Sequence, residues 1–266
     1  MHTKGPALTS AFWGVVVVLI GVAFALVGQV LVQRSVPLQL RESHNTALGM
    51  IYAVIYVMYA LALAFSLFIV WSGFRDAQRA TGNEADAVGD LYQLAEQFPE
   101  PERHRIQELC RSYARVVAED EWPLLAGDRA GRGSPRAQEL ADELVETVEH
   151  FEPASSTQQT LYGQGITLVQ NLDDNRELRL LESYQGVPLV LWVVLIVGGV
   201  LTVSFGFLFG MKAPWLHRLS IASLTVLVVL ILYTIHLIEY PFTSDVRVTP
   251  AAFESVSDRM EGGTNN

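Results

Sequence analysis

Residues 47–71 read ALGMIYAVIYVMYALALAFSLFIVW, a stretch without a single Asp, Glu, Lys, Arg or His. A helix needs about 20 consecutive apolar residues to cross the roughly 30 Å hydrocarbon core of a bilayer. Three more apolar stretches have a similar length and contain no Asp, Glu, Lys or Arg, at residues 11–32, 187–209 and 219–238. The sequence therefore predicts an all-α, polytopic membrane protein with four transmembrane helices.

The four apolar stretches form two pairs, separated by a long polar segment. We expect a first transmembrane hairpin within residues 1–75 and a second within 187–242. Residues 76–186 are predicted to form an extramembrane helical stalk domain, and residues 243–266 a polar tail. Ser155 and Gln158 have the spacing of a capping box, and Ser134 precedes Pro135 as an N-cap would, so helices should begin at both places.

Charge is concentrated in the inserted segment. Residues 76–185 contain 22 Asp and Glu but 10 Arg and no Lys, in a chain whose net charge is -10. Nucleic acids bind to clustered Lys and Arg, so this composition argues against a nucleic-acid partner. An acidic surface of this kind attracts cations.

The sequence has none of the usual enzyme motifs. HExxH and GxSxG are absent, the six histidines are scattered, and the single cysteine, Cys110, lies among apolar residues at helical spacing. We therefore predict a protein that is not an enzyme and has no cofactor.

Small residues recur at helical spacing on two of the spans. One face of a membrane helix that carries small residues allows the backbone of a neighbour to approach closely. Such packing can occur within one subunit, between subunits, or in the wall of a pore, and the pattern leaves these open. The residues are Gly14, Gly21 and Gly28 on the first span, and Gly198, Thr202, Gly206 and Gly210 on the third.

The second span carries a polar face formed by Tyr52, Tyr56, Tyr59 and Ser66. Polar groups on one face of an apolar helix avoid lipid and seek a protein partner or water. Two interpretations follow: hydrogen bonds between helices, or a hydrated pathway.

The fourth span ends in an ionisable group. Thr225, His236 and Glu239 share one face, and Asp245 follows a few residues later. A carboxylate in hydrocarbon costs roughly 2.5–3.5 kcal/mol, so Glu239 should face protein, water or an ion. It could pair with His236 at the membrane interface. Alternatively, copies of Glu239 could form a ring around an oligomer axis, extended by Asp245, that attracts or coordinates a metal cation.

Several short motifs carry a family resemblance that extends over nearly the whole chain. They are Arg41-Glu42-Ser43-His44-Asn45, Glu84-Ala85, Leu91-Tyr92-Gln93-Leu94-Ala95, Tyr113-Ala114-Arg115-Val116-Val117, Glu121-Trp122-Pro123, Asn175-Arg176 before Pro188 and Trp192, and Glu239-Tyr240-Pro241-Phe242-Thr243. In their order and spacing the chain resembles the bestrophin-like domain family of bacterial and plant membrane proteins. That family often has Asp where Glu239 stands, and Gly after Pro-Phe where this chain has Thr243.

The resemblance implies four-span membrane proteins, and bestrophins themselves are pentameric anion channels. The acidic inserted segment and Glu239 favour cations on electrostatic grounds. We therefore hypothesise a homo-oligomeric ion channel in a bacterial plasma membrane. It would prefer cations, and divalent ions such as calcium are among the candidates. Its partners would be the lipid bilayer, inorganic ions and copies of itself, with both termini and the stalk domain in the cytosol. The alternatives are an anion channel, or a non-conducting scaffold or sensor that binds a partner through its stalk.

Overall fold

The computed structural model describes the backbone of residues 5–127 and 131–262, and side chains from residue 10 onward. Within these residues the chain is helical and contains no strand, which confirms the predicted all-α class. The helices are α1 (Gly5–Ser35), α2 (Leu38–Ala95), α3 (Glu102–Val116), α4 (Trp122–Leu125), α5 (Pro135–Glu149), α6 (Ser156–Tyr184), α7 (Leu189–Gly206), α8 (Pro214–Ile238) and α9 (Ala251–Gly262).

The chain folds into two compact units. The first comprises Met1–Trp71 and Gly186–Glu239, and the second comprises Ser72–Gln185 and Tyr240–Asn266. Four helices, α1, α2, α7 and α8, are long and apolar enough to cross a membrane, as predicted. With 58 residues, α2 runs from the first unit into the second as one helix.

In the first unit, α1 packs mainly against α8 and also contacts α7. The small core at this contact consists of Ala25, Val203, Phe207 and Ile221. Most other large apolar side chains of these helices are exposed, as expected of a surface that lies in hydrocarbon.

The second unit has a larger core, contributed by the end of α2 and by α3, α5, α6 and α9. Both predicted helix starts are present. The Ser155 hydroxyl accepts a hydrogen bond from the Gln158 N–H at 3.2 Å and so caps α6. Ser134 precedes α5, but its side chain makes no capping bond.

A wide π-helical turn, Val117–Glu121, separates α3 from α4. Pro123 has no N–H to donate and its ring cannot fit against a regular preceding turn, so a local widening at this point is physically reasonable. The turn leaves Glu121 fully buried while its neighbours Glu119 and Asp120 are exposed.

The segment predicted as a polar tail contains the helix α9. Phe253, Val256 and Met260 lie on one face of α9 and are all buried in the core of the second unit. Three apolar residues at helical spacing are enough to dock a short helix, although the surrounding sequence is polar.

Candidate functional site

At the end of α8 the structure holds Glu239 by two side chains of its own unit. The indole N–H of Trp192 donates to Oε2 of Glu239 at 3.0 Å, and Nδ1 of His236 donates to Oε1 at 2.9 Å. His236 and Glu239 are three residues apart at the end of one helix, so they share a face. Trp192 comes from the first turn of α7, which begins after Pro188.

The carboxylate is covered, whereas its histidine partner is not. The Glu239 side chain is 5% exposed and the His236 side chain is 64% exposed. Both carboxylate oxygens therefore have partners within the subunit, as the pairing interpretation expects, and the accessible group at this end of α8 is the imidazole. Asp245 is exposed and belongs to the second unit.

The hydroxyls on the polar faces of the second and fourth spans, which a hydrated pathway would use, are mostly hydrogen-bonded inside the subunit. Ser66 and Thr225 are buried and donate to the carbonyls of Ala62 and Ile221, one turn earlier on their own helices. Tyr59 is buried and donates to the Leu195 carbonyl at 3.0 Å.

Tyr52 and Tyr56 keep accessible surface. The Tyr52 ring stacks on Phe205, with ring centroids 5.9 Å apart, and meets Phe209 edge-on. Of the four polar residues predicted on the second span, these two are the ones that a hydrated path could reach directly.

Six of the small residues lie where other segments of the same unit approach closely. A Cβ at Gly14 would lie 2.7 Å from the Tyr233 ring, one at Gly28 2.9 Å from Phe207, and one at Gly198 2.6 Å from Tyr59. Gly21 faces Val229, Gly206 faces Ile221, and Gly210 faces the backbone of Glu42. Thr202 is fully buried, and its hydroxyl has no partner among the described residues. These contacts favour packing within one subunit.

The second unit contains a buried ionic network that sequence reasoning did not assign. Arg179 donates to both oxygens of Glu84, at 2.6 and 2.8 Å, and to Oε1 of Glu121 at 2.7 Å. Arg176 binds Glu121 in a bidentate manner, with both bonds at 2.8 Å. The Tyr113 hydroxyl donates to Glu84 at 2.6 Å. All five side chains are buried.

The network joins elements that are far apart in the sequence. Glu84 comes from α2, Tyr113 from α3, Glu121 from the π-helical turn, and both arginines from α6. The two guanidiniums balance the two carboxylates, so the buried set is close to neutral, which limits the cost of removing it from water.

Aromatic rings and the backbone complete the surroundings of the network. The Arg179 guanidinium lies 5.5 Å from the centroid of the Trp122 ring and 5.7 Å from that of Phe253. The Ser134 N–H donates to Oε2 of Glu121 at 2.6 Å. Gly133 is needed beside it, because a Cβ there would lie 2.9 Å from both Glu121 and Arg176.

Burial and the neighbouring charges shift the pKa values of the network. Burial alone would raise the pKa of Glu121, but Arg179 and Arg176 outweigh it and hold the pKa below its ordinary value. Burial and the adjacent Glu84 carboxylate raise the pKa of Tyr113 well above its ordinary value, so the phenol keeps the proton that it donates. Glu121 is therefore ionised and the Tyr113 phenol protonated at neutral pH.

No group of three or more His, Cys, Asp or Glu in the described part of the chain is arranged to hold a metal ion. Glu239 was predicted as a metal ligand. Among the described residues of one subunit, its side-chain hydrogen-bond partners are Trp192 and His236, and of these His236 is the one that can also bind a metal.

The chain as a whole matches a known protein family. The family model of the bestrophin-like domain covers residues 19–253. The chain belongs to the bestrophin-like domain family.

Solved structures share the fold of this bestrophin-like protein. A bacterial Bestrophin homolog from Klebsiella pneumoniae, phased by Zn-SAD, matches with a TM-score of 0.68 at 13% identity, covering 95% of this chain and 98% of that chain. A point variant of that homolog matches with a TM-score of 0.68 at 14% identity, covering 95% and 99%. A structure described as that of a membrane protein matches with a TM-score of 0.67 at 12% identity, covering 95% and 99%. Curated protein sequences gave no match.

Four of the five network residues stand in the motifs that carry the family resemblance of this chain: Glu84, Tyr113, Glu121 and Arg176. The sequence pattern could have revealed these residues, because they are charged or polar at positions where an apolar residue is expected. Each falls on the apolar face of a helix or beside Trp122, where a solvated charge would not be expected. Arg179, three residues after Arg176, lies outside these motifs.

Proposed function

We propose that this bestrophin-like protein is the subunit of a homo-oligomeric ion channel. The observation that carries the proposal is the family membership, together with a shared fold over almost the full length of the bacterial Bestrophin homolog. The four candidate membrane helices supply the spanning part. As a four-span subunit is small for enclosing a pore alone, the path would lie between copies, nearest to α2 and α8.

The same proposal gives the channel a preference for cations. The buried network contains two carboxylates and two guanidiniums, so the twelve-residue excess of acids in residues 76–185, 22 against 10, lies entirely outside it. Among these acids, Asp86, Asp90 and Glu96 line an open groove between α2 and α9, together with one base, Arg259. A surface with an excess of negative charge raises the local concentration of cations.

Glu239 would act on this path through its charge. Its oxygens are occupied by Trp192 and His236, so a permeating ion would meet the exposed imidazole with the carboxylate behind it. A carboxylate covered by protein is weakly screened and acts over a longer distance than an exposed one. Coordination of a divalent ion such as calcium would need several copies of this pair around the axis.

We also propose that both termini and the acidic unit lie in the cytosol of a bacterium. Arg75 and Arg79, two bases with accessible side chains, directly follow the second span on this side, but Arg34, Lys212 and Arg218 are exposed on the opposite side, so the distribution of basic residues does not by itself select this orientation. Arg176 and Arg179 do not add to this count, because they are buried and paired.

The proposal is tested in liposomes that contain the purified full chain, under a potassium chloride gradient. A cation channel moves the reversal potential towards the potassium equilibrium value, and an anion channel moves it towards that of chloride. Glu239→Gln should lower the cation-to-anion permeability ratio by about fivefold, which corresponds to roughly 1 kcal/mol of electrostatic energy. The matched control is Glu254→Gln, an exposed carboxylate on α9, which should leave the ratio unchanged.

Two results would contradict the proposal. No flux under any cation or anion gradient, from protein that is shown to be folded and inserted, would favour a scaffold or sensor that binds a partner through its acidic unit. A reversal potential at the chloride value would retain the channel but reject its cation preference.

A further inference from the structure

The membrane helices α1, α7 and α8 of the first unit enclose a groove of about 460 Å³. Its volume lies within the range of roughly 300–1,000 Å³ that is usual for small-molecule sites. Apart from Ser204 and Thr225, its lining is apolar, with Phe24 from α1, Val200 from α7 and Leu232 from α8. Because all three helices have the length and composition of membrane spans, the natural occupant of this groove is a hydrocarbon chain.

One end of the groove carries positive charge. Gly28 and Phe207 line this end, and one turn further on Gln33 donates to Nδ1 of His217 at 3.3 Å, which ties the end of α1 to the start of α8. The residues that follow this pair in the sequence, Arg34 and Arg218, are both exposed.

The two connections at this end hold more bases than these. Residues 33–46 and 207–218 contain four Lys and Arg but only one acid. Arg34, Lys212 and Arg218 are exposed, whereas Arg41 is buried and donates to the Phe209 carbonyl at 3.3 Å. Each base near a membrane surface adds roughly fivefold to the affinity for anionic lipid. A ligand with an apolar chain and a negatively charged head would match both parts of this surface.

We propose that the groove between α1, α7 and α8 binds an anionic phospholipid. One acyl chain lies against Phe24, Val200 and Leu232, and the phosphate pairs with Arg34 and Arg218. This inference goes beyond ion conduction and does not depend on it, since it describes a lipid site within one subunit.

The test is native mass spectrometry of the full chain in detergent, titrated with phosphatidylglycerol or with phosphatidylcholine. Phosphatidylglycerol should bind in preference. The double variant Arg34→Gln/Arg218→Gln should weaken its binding by about 25-fold and abolish the preference, because two contributions of about fivefold are lost. Arg136→Gln, which removes an exposed base of the second unit, is the control and should bind as the unmodified chain does.

A second variant tests the acyl-chain part separately. Val200→Trp fills the groove and should reduce the binding of both lipids, whereas Val193→Trp, a similarly exposed valine on the same helix outside the groove, should not. Equal affinity for the two lipids, or full binding by either the arginine double variant or Val200→Trp, would overturn the proposal. A change in oligomer mass with Val200→Trp would also overturn it, because a second copy of the chain would then occupy the groove.

Discussion

Replacing Arg179 by methionine removes the guanidinium that links both buried carboxylates. Three short hydrogen bonds disappear, two to Glu84 and one to Glu121. Glu121 keeps Arg176 and the Ser134 N–H, so it stays paired. Glu84 keeps only the Tyr113 hydroxyl among the described residues and becomes a buried carboxylate without a counter-charge.

The magnitude follows from the fate of Glu84. Removing one partner of a buried ion pair typically costs about 3–5 kcal/mol. For a chain of this size, 1 kcal/mol corresponds to a change of roughly 2–4 °C in Tm, so Arg179→Met should lower Tm by about 6–20 °C. Adding Glu84→Gln removes the unpaired charge and should recover at least about 1 kcal/mol of this loss.

The single cysteine provides a local assay. Cys110 is fully buried in the core of the second unit, and burial raises the pKa of its thiol, so it should not react with a maleimide until that unit opens. Labelling against temperature therefore reports the unfolding of the unit that contains the network. Arg136→Met, which removes an exposed arginine, should shift the transition by less than about 0.5 kcal/mol.

Two outcomes would refute this reasoning. Unfolding of Arg179→Met at the same temperature as the Arg136→Met control would show that the network carries no net stability. A lack of recovery on adding Glu84→Gln would show that the loss does not come from an unpaired Glu84 carboxylate.

Two further predictions concern the same network. Glu121→Gln should lower the free energy of unfolding at pH 7. The folded-state pKa of Glu121 lies below its ordinary value of 4.5, so the stability that the ionised carboxylate provides is lost as the pH falls below about 4.5 and through the folded-state pKa. The stability difference between the variant and the unmodified chain should therefore shrink in that range. Cys110 labelling is pH-dependent, so circular dichroism melts should be used, and a deficit that is constant from pH 7 to acid would contradict the assignment. Gly133→Ala should cost about 1–3 kcal/mol by crowding Glu121, whereas Gly163→Ala, where a helical Cβ meets nothing within 4 Å, should stabilise α6 by about 0.5–1 kcal/mol. Melting curves of the two variants that move in the same direction would count against this geometry.

The membrane architecture could be predicted from the sequence because each span is one long, continuous stretch of apolar residues. A run of twenty or more apolar residues exceeds what the core helix of a soluble protein needs, and the four such stretches coincide with four helices of the structure. The start of α6 was also predictable, because a cap depends on two residues three positions apart.

The partners of the small residues could not be predicted in the same way. A stripe of glycines shows that something approaches closely, but not which helix approaches. Gly14 and Gly28, which belong to the same pattern, meet residues on different segments, Tyr233 and Phe207. The helix α9 escaped prediction for a related reason: its three buried residues form a pattern too short to stand out in a polar tail.

The pairing in the buried network could not be predicted because Arg and Glu residues usually lie on the surface, and nothing in the local sequence shows that these four pair with one another. Well-packed apolar residues often stabilise a core as well as a buried ion pair does, so stability alone is a weak reason for placing two arginines and two glutamates there. Geometry is a stronger reason. Apolar faces rich in Ala and Leu can slide by a helical turn with little penalty, but the bidentate bonds of Arg176 and Arg179 form only when α2, α6 and the π-helical turn are in one register.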